Sequence, residues 1–142
     1  VCMVNLCNRQ DAEDAVQDTF AKYLRKSPNF RSTEHEKAWF LRVAINRCRD
    51  KHREAFFRRT VRLDEIGEYA ETPEEFGVLE ELAALPPRCK SVLMLHYVEG
   101  YQVREISRIL GIRENAVKAA LFRGRNLLKH RLEESLQWKD GT

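Results

Sequence analysis

Apolar residues recur at three- and four-residue steps along most of the chain, and nowhere does an alternation of strand length compete with them. The clearest stretch runs from Tyr101 to Leu132. Val103, Ile106, Ile109 and Leu110 mark one helix, and Gly111 supplies a tight turn in which a left-handed backbone costs least. Ile112 plugs the corner, and Val117, Leu121, Leu127 and Leu128 repeat as the buried stripe of a second helix. The pattern predicts a helix-turn-helix.

Upstream, Ala12, Ala15, Val16, Phe20, Tyr23 and Leu24 fall on one side of a helix that Asp11 is placed to cap and Pro28 stops after about Lys26. The preceding CMVNLC reads as the tail of an earlier helix whose beginning is absent. Thr33 with Glu36 three residues on has the form of a capping box and opens a long helix over about 34–59. Ala38, Leu41, Ile45, Cys48 and His52 share its inward face, while Trp39, Arg42, Val43, Asn46, Arg49, Asp50 and Arg53 lie together about a third of a turn away. Residues 63–73 read as linker, punctuated by Gly67 and Pro73. Pro73 starts a helix through Leu85 with Phe76, Leu79, Leu82 and Ala83 apolar. Pro86 and Pro87 break it and begin another, in which Val92, Leu93, Leu95 and Tyr97 pack before Gly100. The expected fold is all-α, with two small helical domains over 1–62 and 75–142 joined by a linker at 63–74.

Charge adds a second pattern. The net charge is only +3, but residues 42–62 hold eight basic and two acidic groups, 63–85 hold eight acidic and no basic ones, and 86–142 hold eleven basic and six acidic. Two basic blocks flank an acidic linker, as expected of two phosphate-binding surfaces joined by a segment that avoids DNA. The outer face of the second hairpin helix carries Arg113, Glu114, Asn115, Lys118, Phe122, Arg123 and Arg125. Such a helix fits a major groove, although a basic amphipathic hairpin is also a common solvated element. Arg suits guanine or phosphate, Asn adenine, and Glu a cytosine amino group. On the long helix an aromatic, an amide and guanidinium groups share one face, which suits nucleic acid; core packing is the equal alternative for Trp39.

Other chemistries find no support. Cys2, Cys7, Cys48 and Cys89 include no CxxC pair, and His35, His52, His96 and His130 complete no zinc spacing, so no metal is expected. No carboxylate pair sits beside a His at usable spacing and no Gly-rich phosphate loop exists, so neither an enzyme nor a cofactor is expected. Unpaired thiols, no signal peptide and no apolar span of about 18 residues point to the cytoplasm.

In order, an acidic helix, a long basic helix with Trp, an acidic linker and LPPRCKSVLMLHYVEGYQVREISRILGI resemble the extracytoplasmic-function group of the sigma-70 family, the promoter-recognition subunits of bacterial RNA polymerase. DAEDAVQDTF at Asp11 to Phe20 is similar to the family's region 2.2, EKAWFLRVAINRCRDKHR at Glu36 to Arg53 to regions 2.3 and 2.4, and Leu85 to Leu132 to region 4. The resemblance covers nearly all of the chain.

It implies that Asp14, Gln17 and Asp18, with Glu13 nearby, dock on the clamp helices of the polymerase's largest subunit. It implies that the long helix reads the minus-10 element and holds the melted strand, with Asn46 at a base edge, Asp50 orienting a neighbour or accepting from a base, and Arg42, Arg49 and Arg53 on phosphates. It places the helix from Glu114 in the minus-35 major groove, with Arg113, Glu114, Asn115, Lys118 and Arg123 as contacts. Partners would be core polymerase, promoter DNA and, as for many members, an anti-sigma protein. The alternative is a sigma-like regulator that binds DNA without engaging polymerase. The chain departs from the family at Ala116-Val117-Lys118-Ala119-Ala120, where Thr-Val-Lys-Ser-Arg is usual, so minus-35 contact should lean on Arg113, Lys118 and Arg123. Phe122 is expected to pack inside region 4, a thymine methyl being the other reading. At the front, only the end of a further family helix is present.

Overall fold

The computed structural model describes residues 1–53 and 80–134 in full, Val78, and the backbone of 54 and 135–140. Every regular element among them is helical: α1 (Cys2–Leu6), α2 (Arg9–Lys26), α3 (Thr33–Glu54), α4 (Pro87–Leu93), a π-helical turn (Met94–Val98), α5 (Val103–Leu110) and α6 (Glu114–Asp140). A short helical stretch at 80–83 precedes α4. The expected linker at 63–74, the end of the long helix and the start of the Pro73 helix lie outside the described residues.

The helix starts differ from expectation by three residues at α2 and by one at α3. Asn8, not Asp11, caps α2: its Oδ1 accepts the Asp11 backbone N–H at 3.0 Å. Asp11 sits a turn inside, where its charge favours the helix N-terminus. For α3 the cap is Ser32, whose Oγ accepts from His35 N–H at 3.1 Å, so the expected Thr33 box is shifted by one. At α5 the Glu105 carboxylate accepts from the Gln102 backbone N–H at 3.0 Å, a reciprocal cap not expected from the sequence.

The inward face of α2 is narrower than its apolar pattern. Ala12, Ala15 and Thr19 are buried, whereas Val16, Phe20 and Leu24 are exposed, Leu24 by 74%. Small side chains let α2 approach α3 closely, which leaves the larger ones a third of a turn away in solvent or at the helix edge. Phe20 meets Phe40 there, with ring centroids 5.2 Å apart. Trp39 is half-buried in an aromatic cluster with Tyr23, Phe30 and Phe40 at 6.1, 5.8 and 5.1 Å.

The main core runs through both halves of the chain. Val4 and Ile45 share one cluster with Leu82, Leu85, Val92, Leu95, Ile106, Ile109, Val117 and Leu121. A smaller cluster holds Cys2, Met3, Cys7, Ala12, Ala15, Cys48 and Ala83, and the four thiols are free and buried. After Leu93 the chain adds a residue to the helical turn: Glu99 N–H donates to Met94 C=O at 3.1 Å, a five-residue step. Met94 and Leu95 stay buried, but Tyr97, expected to pack, is exposed, and Arg125 Nε donates to its hydroxyl.

Candidate nucleic-acid interface

The helix-turn-helix forms as its sequence demands. Gly111 ends α5 at φ +68° and donates its N–H to Ser107 C=O at 2.9 Å, a backbone that a side-chain-bearing residue adopts at a cost. Ile106, Ile109, Val117, Ala120 and Leu121 turn inward. Gly124 lets α6 lie close against α4: a Cβ there would stand 3.0 Å from Leu93 Cδ1 and 3.3 Å from Cys89 Cβ.

Arg113, just before α6, and Glu114, Asn115, Lys118 and Arg123 on it are all exposed, whereas Val117, Ala120, Leu121 and Gly124 are buried. Phe122 is 69% exposed, so the expectation that it packs inside is corrected. The inward positions are already filled by Val117, Ala120, Leu121 and Gly124, which leaves no room on the buried face for a ring one step further round. Of the three positions at which the chain departs from the expected Thr-Val-Lys-Ser-Arg, Ala116 is half-buried, Ala119 exposed and Ala120 buried, so a hydroxyl at Ala119 would have stood on the outer face and a cation at Ala120 at a position turned toward the core.

The second set lies on α3. Arg42, Arg49, Asp50 and Arg53 are exposed, and Asn46 is half-buried. Asn46 and Arg49 line a cleft of about 230 Å³ whose other walls are Asn5, Ile45, His52, Pro87, Arg88, Ser91, Leu110 and Ile112. The structure thus brings two of the α3 residues against the second half and leaves the others open. Arg88, which the sequence reading passed over, adds a cation from the opposite wall.

The acidic set on α2 is less free than its sequence suggests. Asp18 accepts from Arg47 Nε at 2.7 Å, Asp14 lies 4.0 Å from Lys51 Nζ, and Glu13 pairs with Arg9 at 3.1 Å. Asp14 and Asp18 are one turn apart, as are Arg47 and Lys51, so the two helices match charges along their seam. Gln17 is exposed.

Lys90 was also passed over. It is only 4% exposed, and its Nζ donates to Val4 C=O, Asn5 C=O and Ala83 C=O at 3.2, 3.1 and 3.2 Å. Burial depresses its pKa, because an ammonium loses more hydration than these carbonyls return. The available signal was a Lys inside the apolar run Cys89, Val92, Leu93, where a solvated side chain has no exit.

The chain matches family models described as Sigma-70 region 2 over residues 3–56 and Sigma-70, region 4 over 76–128. It is 28% identical over 120 residues to the ECF RNA polymerase sigma factor SigM of Mycobacterium tuberculosis, covering 82% of this chain and 61% of that one. It is 30% identical over 134 residues to the RNA polymerase sigma factor SigV of Bacillus subtilis, covering 88% and 78%. The chain therefore spans about three fifths of the SigM relative and most of SigV. Among solved structures, the sigma factor RpoE of Bartonella quintana, crystallised with the anti-sigma factor NepR, shares the fold with a TM-score of 0.69 at 22% identity, over 93% of this chain and 87% of that one. With both regions present in order and a relative of this identity matched over most of its length, the protein belongs to the extracytoplasmic-function group of the sigma-70 family.

Proposed function

We propose that this chain binds core RNA polymerase and directs initiation at a restricted promoter set, with α3 reading the minus-10 element and α6 the minus-35 element. The observation that carries this reading is the outward row of Arg113, Asn115, Lys118 and Arg123 on a helix seated by a helix-turn-helix, beside a second basic helix on the same chain. One surface offers base-edge and phosphate groups for a major groove; the other has an amide and guanidinium groups for an opened strand. The protein works by binding alone. Strand opening draws on preferential binding of unstacked bases, whose unpairing costs a few kcal/mol. The division into units over 1–62 and 75–142 follows from these two tasks, and the cytoplasm is where polymerase and promoter are met. No described helix is long and apolar enough to cross a membrane.

Asp14, Gln17, Asp18 and Glu13 form the proposed polymerase-docking face. Because Asp14 and Asp18 already face Lys51 and Arg47, docking on a basic partner exchanges one set of pairs for another and gains specificity more than raw affinity. A member of this family held by an anti-sigma protein would present the same surfaces to it.

Run-off transcription with purified core enzyme on fragments of the source genome tests the reading. Promoter-dependent transcripts are expected, and their absence on every template overturns it; DNA binding without core association would instead favour the regulator. A second expectation concerns Phe122. Replacing minus-35 thymines by deoxyuridine removes only the C5-methyl, and it should weaken binding about threefold for the native chain and leave Phe122→Ala unaffected. Equal sensitivity of the two proteins removes Phe122 from the contact.

A further inference from the structure

The cleft where α3 meets α4 gathers positive charge that nothing among the described residues balances. Arg49 on α3 and Arg88 on α4 both line it, no carboxylate lines it, and among the described residues neither guanidinium has an ion pair or a hydrogen bond. Two like charges brought to one cavity repel each other, a cost that an anion between them removes. The cations that join elements elsewhere are matched: Arg47 has Asp18, Arg131 has Glu81, Lys37 has Glu99, and Lys90 has three carbonyls.

The rest of the lining says what kind of anion fits. Ile45, Leu110 and Ile112 give it an apolar wall, and the half-buried Asn46 offers an amide that both donates and accepts. Its buried part is preset. Asn5 and Ser91 are 2% and 6% exposed; Ser91 Oγ donates to Asn5 Oδ1 at 3.3 Å, and Asn5 Nδ2 donates to Val1 C=O at 3.0 Å, which leaves that amide a second N–H. At about 230 Å³ the cleft is below the roughly 300–1,000 Å³ of drug-sized ligand pockets, so its ligand is small. Charge then selects among anions. A phosphate monoester carries about −1.5 to −2 at pH 7 and three acceptor oxygens, which matches two permanently charged guanidinium forks. A carboxylate, or the internal phosphodiester of a strand, brings a single charge and leaves one cation unmatched.

We propose that this cleft is a binding site for a small phosphate monoester, a 5-phosphorylated pentose either free or within a mononucleotide. The phosphate is held between Arg49 and Arg88, the sugar lies against Ile45, Leu110 and Ile112, and its hydroxyls meet the Asn46 amide. The site stands whether or not α3 also reads a promoter. Where α3 does so, ligand and melted strand draw on the same Asn46 and Arg49.

The test titrates the full chain with ribose 5-phosphate, AMP and inorganic phosphate in turn by isothermal calorimetry, while the arginine Nε–H signals are followed by NMR. Ribose 5-phosphate is expected to bind about tenfold more tightly than inorganic phosphate and to shift the Arg49 and Arg88 signals. Arg88→Gln should weaken it about tenfold, the loss of one charge-assisted contact. Arg25→Gln removes an equal charge from the last turn of α2, outside the cleft lining, and should leave binding unchanged. Arg25 and Arg88 are both exposed, so neither change puts folding at risk. AMP binding as tightly as ribose 5-phosphate identifies a mononucleotide, and weaker binding of AMP a free sugar phosphate; either outcome supports the site. Inorganic phosphate binding as tightly as both esters overturns the sugar on the apolar wall. An equal loss in Arg88→Gln and Arg25→Gln shows anions gathering on surface charge alone and overturns the site. If none of the three binds while a mixed-sequence single strand shifts the same arginine signals, the cleft is part of the strand surface and the proposal falls. Run-off transcription is a separate measurement, so failure of the sigma reading leaves these titrations untouched.

Discussion

Ile106→Ala is expected to lower the unfolding free energy by about 2–5 kcal/mol, the largest effect on stability of any single truncation proposed for this chain. Ile106 is fully buried in the main cluster, on a helix that packs against both α3 and α6. Removing three carbons there loses their transfer energy and leaves a cavity that three helices would have to move together to close. The denaturation midpoint should fall with the slope unchanged, as for a loss of packing rather than a change of the unfolded state. Because α5 also seats the recognition helix, minus-35 binding at 37 °C should decline in step with the folded fraction. A loss under about 1 kcal/mol would mean that the site collapses freely or is not the packed centre described.

Ile106 also illustrates what sequence alone made legible. The helix-turn-helix was readable because its apolar spacing, the turn glycine and the basic outer face all demand the same local structure, and each residue's environment follows from its neighbours within two turns. The family resemblance rested on similar short-range order. What escaped was decided between elements. Val16, Phe20 and Leu24 have helical spacing, yet α3 meets the small side chains Ala12, Ala15 and Thr19 instead, and periodicity does not say which third of an apolar arc the partner chooses. Phe122 sits one step beyond a face that Gly124 narrows by drawing α6 onto Leu93 and Cys89. Lys90 has partners 85 and 86 residues away, a distance across which no local pattern carries information. The same holds for Asp18, whose partner Arg47 belongs to the next long helix. Of the proposed site, the chemistry of the residues was visible in the sequence; which of them stand open and which lie under the other half was not.

Arg123→Ala is expected to weaken binding to a minus-35 fragment of a mapped promoter by about 1–3 kcal/mol, some five- to 150-fold. Arg123 stands exposed on the outer side of α6 with Lys118 and Asn115, and no ion pair engages it among the described residues, so the truncation removes a contact to DNA and little internal structure. Ala119, exposed on the same helix, offers DNA no polar group, which concentrates the load on the neighbouring cations. Two roles for Arg123 leave different signatures. A guanidinium on phosphate gives a loss shared by all sequences and a shallower salt dependence, by about one unit of slope. A bidentate contact to guanine gives a loss confined to templates bearing that base, with discrimination at that position relaxed. The partner measurement is Asp14→Ala, which should leave fragment binding unchanged and weaken association with core enzyme, since Asp14 lies on α2, far along the chain from α6. If both substitutions weaken the same step, one surface serves both tasks and the assignment of α2 to polymerase and α6 to DNA fails; if Arg123→Ala changes neither affinity nor slope, recognition rests on another face of the second half.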